Sequence, residues 1–230
     1  MKYLGVLIKG ASGSLGGLTA SHNKYGDYFR GRTTPVNPNS TRQQLVRSIF
    51  AGLSNAWSVD LTQTQRNGWN LYGQEVSVID ALGQMIHLTG YCHYLRSNSI
   101  ALLAGVDRID EPPTTFILGE PDETMAGTIS EATQKVSVAF DDTKAWCDEN
   151  GAVMQISMSR PASPGVIWIP KINRVAGYIK GASVSPPESP QEIAVPFAVV
   201  EGQKVTVTGR ILRADGRLSG PFRDSATVAA

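Results

Sequence analysis

Four groups of residues in this chain have types and spacings that could do chemistry. The first is Val6-Leu7-Ile8-Lys9-Gly10-Ala11-Ser12-Gly13-Ser14-Leu15-Gly16. Such a glycine-rich run can bring backbone N–H groups up to a pyrophosphate at a helix N-terminus. That chemistry needs a helix directly afterwards, but Gly17-Leu18-Thr19-Ala20-Ser21-His22-Asn23-Lys24-Tyr25-Gly26 holds few helix formers and soon reaches a turn. The second group is His87, Cys92 and His93, whose spacing fits no common zinc pattern. The third, Asp141, Asp142, Asp148 and Glu149, lacks the alternating ligands of a calcium loop and reads as a solvated loop. The fourth is Tyr25, Tyr28, Phe29, Arg30 and Arg32, beside Lys24. Interleaved aromatic and basic side chains can stack on single-stranded nucleic acid. They suit docking on a protein neighbour equally well, since aromatics and Arg are enriched at interfaces.

The elements that must position these residues change character along the chain. Residues 1–39 show no helical periodicity and read as an extended Gly-rich arm with a hairpin, its strands at 18–22 and 28–34. Ser40 and Gln43 have capping-box spacing, and Leu45, Ile49, Phe50, Leu53 and Trp57 follow at helical intervals. A second box at Thr62 and Gln65 precedes Trp69, Tyr72 and Val76. Residues 81–88 read as a short strand or β-turn-β piece around Gly83. A third helix is expected over 90–104, with Tyr91, Leu95, Leu102 and Leu103 inward and Gly105 ending it. Residues 40–109 therefore read as a small helical domain.

At Asp110-Glu111-Pro112-Pro113 the texture becomes β-rich, with turn clusters between short runs. Strands are expected at 135–140, 152–159, 166–169, 175–179, 193–200 and 204–212. Asn150-Gly151 and Asp215-Gly216 tolerate the positive φ of hairpin turns. The fold class expected is α+β: an arm and hairpin, a small helical unit, and an antiparallel β-sandwich over 112–230.

Composition narrows the function classes. The 230 residues carry a net charge of +1. Residues 1–50 hold seven basic side chains against one acid, Asp27, a charge of +6, which leaves −5 on the remaining 180. Such asymmetry suits either nucleic acid or an acidic protein surface as partner for the arm. Two cysteines, Cys92 and Cys147, read as buried free thiols made in a reducing compartment. No signal peptide is expected, because the apolar run 3–8 is short and Lys9 interrupts it. No run approaches the roughly 20 apolar residues of a membrane span, so no membrane partner is expected.

Three resemblances add to this reading. Gln203-Lys204-Val205-Thr206-Val207-Thr208-Gly209-Arg210-Ile211-Leu212-Arg213-Ala214-Asp215-Gly216-Arg217-Leu218-Ser219-Gly220-Pro221 resembles the last hairpin of fibronectin type III domains, which implies an immunoglobulin-like sandwich. Thr34-Pro35-Val36-Asn37-Pro38, followed by Arg47, Phe50, Trp57, Leu61, Gln65, Arg66 and Trp69, is similar to uncharacterised structural-type proteins of tailed bacteriophages and some bacteria. The glycine-rich opening looks like that of short-chain dehydrogenases. Neither a second strand ending in a ribose contact nor a Tyr-x-x-x-Lys pair accompanies it.

The phage resemblance implies a non-enzymatic virion structural protein, made in the host cytoplasm and placed in the virion as a capsid decoration, head–tail or tail component. It would assemble on copies of itself or on other virion proteins through Tyr25, Tyr28, Phe29, Arg30 and Arg32. No catalytic residue, cofactor or metal is expected. The alternatives are a nucleic-acid-associated protein using the basic arm, and a glycan- or receptor-binding module using the sandwich loops.

Overall fold

The computed structural model describes residues 12–23, 26–33, 36–80, 83–167, 169 and 173–230. The chain divides into two compact units between Gln43 and Gln44.

Among its described residues, the first unit holds a three-stranded antiparallel sheet of β1 (Gly13–Leu15), β2 (Leu18–Asn23) and β3 (Gly26–Gly31), in that order. Gly16, at φ 56°, opens the two-residue turn that pairs Leu15 with Leu18. Tight hairpin turns need positive φ at this place, and glycine supplies it without a steric penalty. β2 therefore begins where a pyrophosphate-binding helix would have to start. Val6 to Ala11 lie outside the described residues, as do Lys24 and Tyr25 at the β2–β3 turn.

The second unit opens with helices. All but the first turn of α1 (Thr41–Val59) belongs to it, followed by α2 (Gln63–Glu75), a short hairpin of β4 (Ser77–Ile79) and β5 (Met85–His87), and α3 (Gly90–Ala104). Each helix starts on a hydroxyl that accepts from a free amide of the first turn: Ser40 from Gln43, Thr62 from Gln65 and Thr89 from Cys92. The Gln65 side chain returns a bond to the Thr62 N–H, completing the capping box. Gly105, at φ 69° and ψ 43°, ends α3 in the left-handed conformation.

The helices enclose Leu53, Leu61, Trp69, Tyr72, Val76 and Tyr94. Rings meet edge-on in this core: Trp69 lies 5.7 Å from Tyr94 and Tyr72 5.0 Å from His93. Such geometry favours the ring quadrupoles. The inward face of α3 differs from the one expected. Its buried side chains are His93, Tyr94, Ser97, Asn98, Ile100, Ala101 and Ala104, while Tyr91, Leu95, Leu102 and Leu103 are half-buried. Ser97 and Asn98 are admitted because they have backbone partners. The Ser97 hydroxyl donates to Gly216 O at 2.6 Å, and the Asn98 amide both accepts from Ile109 N and donates to Ile109 O.

The described residues of the rest of the chain form seven strands in the order β10-β7-β6-β12-β11-β8-β9. They are β6 (Ala126–Ser130), β7 (Lys135–Ala139), β8 (Val153–Ser159), β9 (Asn173–Lys180), β10 (Gln191–Ala194), β11 (Lys204–Leu212) and β12 (Phe222–Ala229). All neighbours pair antiparallel except β6 and β12. The two ends of this order come together, since a Cβ on Gly177 of β9 would stand 2.8 Å from Ile193 of β10. The sheet is therefore nearly barrel-like. Its inner faces bury Val136, Val138, Met154, Ile156, Val205, Val207 and Ile211 around Trp146.

Among the described residues the fold is thus mixed α+β, with three helices and a large, mostly antiparallel sheet. Two expected strands differ. Residues 166–167 form no strand: Val166 N closes a turn onto Ser163 O after Pro164-Gly165, and Ile167 is fully exposed. The run expected at 193–200 pairs only as Gln191–Ala194, and Pro196, which has no N–H to give a ladder, follows at once.

Candidate interaction site on the N-terminal sheet

Antiparallel register decides which side chains share a face. Ser14 stands opposite Thr19, Thr19 opposite Arg30, and Ser21 opposite Tyr28. One face therefore carries Ser14, Thr19, Ser21, Tyr28 and Arg30, with a 2.8 Å hydrogen bond between the Ser14 and Thr19 hydroxyls. The other carries Leu15, Leu18, Ala20 and Phe29, closed at one end by a 2.6 Å pair between His22 Nδ1 and Asp27.

Of the expected contact residues, Tyr28 and Arg30 are brought together, Phe29 lies on the opposite face, and Arg32 follows the end of β3. Tyr25 falls outside the described residues. Arg30 and Arg32 are exposed and have no carboxylate partner among the described residues. Leu15 is 88% exposed and Leu18 55%. Among the described residues of this unit, none is buried. Among the described residues, the sheet has two chemically distinct faces, one polar and cationic, one apolar, and builds no core from its own side chains. A small sheet gains independent stability only by covering a hydrophobic face.

The other candidate groups are occupied by local structure. His93 is 4% exposed, and its Nε2 has no partner. Burial, helped by the Arg96 charge, pushes its pKa down to about 4, so the ring is neutral. Asp122 and Asp141 serve as turn caps: Asp122 accepts from Thr124 and from Asp141 N, and Asp141 from Thr143. Bonds from the Thr143 hydroxyl and amide hold the Asp141 carboxyl below its ordinary range. Glu149 pairs with Arg213 and accepts from Ala214 N. Among the described residues, no group of three or more His, Cys, Asp or Glu is placed to hold a metal ion.

Cys147 is a buried free thiol, pushed up to about 12 by burial and then by nearby carboxylates. Cys92 is half-buried and also free. Among the described residues, no helix is long and apolar enough to cross a membrane.

Sequence reasoning passed over Arg96, Arg210 and Arg223, which the fold gathers at one place. They lie on three different elements, and the sole signal was that Arg210 occupies an outward position of an alternating strand. No protein-family model matches this chain, and no curated protein sequence matches it.

Proposed function

We propose that this chain is a non-enzymatic bacteriophage virion structural protein that assembles through its N-terminal sheet, as a capsid decoration, head–tail or tail component. One observation carries the reading: among the described residues, a regular three-stranded sheet exposes Leu15 and Leu18 on one face and Arg30, beside the half-buried Tyr28, on the other, with no core of its own. Cover for such a sheet comes from a neighbour, and repetition on a ring or lattice makes many weak contacts strong. The partner is a second copy or another virion protein, since the second unit carries the opposite charge.

For residues 112–230 we further propose a fibronectin type III-like sandwich. The strand order supports it: β10-β7-β6 and β12-β11-β8-β9 read as two antiparallel sheets facing each other, joined by the short parallel pairing of Val228 with Ile129 and Ala229 with Ser130.

Light scattering after size exclusion tests the assembly. The full chain is expected as a defined oligomer, and a chain lacking residues 1–39 as a monomer with its thermal transition retained. A truncated chain that keeps the oligomer mass, or that loses its fold, would overturn the proposal. A monomeric full chain that binds single-stranded nucleic acid with steep salt dependence would favour the nucleic-acid alternative instead.

A further inference from the structure

The second unit gathers cations where its sheet leaves the cover of α3. Strand β11 sends Val205, Val207 and Ile211 into the core, so Thr206, Thr208, Arg210 and Leu212 point outward. Helix α3 covers one end of that outward face, where Ile100, Ala101 and Ala104 pack on Val153, Leu212 and Leu218. One step along the strand the cover ends and a cavity of about 180 Å³ opens, lined by Gln155, Ser157, Asn173, Thr208, Arg210, Pro221 and Arg223. Register explains the set: Gln155 stands opposite Arg210, and Ser157 and Arg223 flank Thr208 on either side. Six of these seven side chains are polar or charged, with Pro221 the exception.

The charges there are unbalanced. Arg96, on α3, lies close enough to Arg210 to weaken its own hold on a proton, and Arg223 does the same to Arg210. Burial acts in the same direction and is the larger cause for both. Arg96, Arg210 and Arg223 have no carboxylate partner among the described residues. A guanidinium keeps its proton in proteins, so a half-buried one without a counter-charge is costly.

We propose that this cavity binds a small oxyanion of the phosphate class, gripped by the Arg210 and Arg223 guanidiniums and hydrogen-bonded by Ser157, Thr208 and Asn173. Two forks converging from neighbouring strands suit a tetrahedral anion, whereas a planar carboxylate engages one fork. The cavity falls below the ~300 Å³ at which ligand pockets usually begin, so it takes inorganic phosphate or a terminal phosphate and leaves out a nucleoside. The site is independent of the N-terminal sheet.

Calorimetric titration and thermal unfolding of the full chain test this, with inorganic phosphate, sulfate and acetate compared against chloride at matched ionic strength and pH. Phosphate is expected to bind saturably and to raise Tm, sulfate to follow it, and acetate to bind more weakly. Arg210→Gln and Arg223→Gln are each expected to weaken phosphate about tenfold or more, the loss of a charge-assisted bond. Arg223 is exposed, so its variant carries the test even where Arg210→Gln fails to fold. No saturable binding, phosphate affinity unchanged in Arg223→Gln, or acetate binding tighter than phosphate would each overturn the proposal.

Discussion

Two buried side chains carry residue-scale expectations. His93 is held neutral in the helical core, with its pKa pushed down to about 4. In the unfolded chain it titrates near its ordinary 6.5, so between these values the unfolded state holds the extra proton. Stability from this group is whole above about pH 6.5 and falls as pH drops toward 4, by up to about 3 kcal/mol. Unfolding midpoints measured from pH 7 to 4.5 should decline, and His93→Gln should flatten that decline; an unchanged slope refutes the assignment. Cys147 gives a second expectation. A thiol held near 12 offers almost no thiolate at pH 8, and it is buried. A thiol reagent should leave Cys147 unmodified in the folded chain and label it on denaturation, with peptide mapping to locate the label. Cys147 was legible in the sequence as a buried free thiol, but the shifted titration of Cys147 and of His93 was not. Their chemistry comes from what the fold removes, which is water.

Among the elements, the helices were the most legible and the outer strands the least. Thr62 with Gln65, Trp69 with Tyr72, and Gly105 carry local signals that survive folding, because caps, i+3 spacing and left-handed turns depend on neighbours in sequence. The buried stripe of α3 was not legible, because Ser97 and Asn98 face inward to satisfy Gly216 and Ile109, partners set by tertiary contact. β6 and β12 escaped for a related reason. Ala126-Gly127-Thr128-Ile129-Ser130 is small and polar, and it pairs because Gly127 lets Val207 approach, while Asp224 accepts its N–H at 2.8 Å. Close approach also governs α2 against the start of α3, where a Cβ on Gly90 would collide with the Trp69 and Asn70 backbone. Backbone cannot swing aside as a side chain can. Gly90→Ala should therefore cost about 1–3 kcal/mol or more by denaturant unfolding, against about 1 kcal/mol for Thr62→Ala at an exposed cap. Equal costs would show that the helices simply slide apart.

At the scale of the whole molecule the governing fact is charge, +6 on residues 1–50 against −5 on the rest. If the N-terminal sheet of one copy docks on the second unit of the next, the contact is head-to-tail, and such contacts close into rings or run on as filaments. Two consequences separate this from docking of sheet on sheet. The first is salt. Screening shortens from roughly 10 Å at 0.1 M to 3 Å at 1 M, so a charge-led contact should loosen over that range and the mean mass by light scattering should fall. A contact led by Leu15 and Leu18 would hold or tighten. The second uses the chain without residues 1–39 as an additive. It keeps the acceptor surface but has no donor, so in a head-to-tail assembly it occupies the growing end and stops it. Mean mass should then fall in proportion to the truncated chain added. Were the sheets to pair with one another, the truncated chain would have nothing to bind, and the mass of the full-length species would stay where it was.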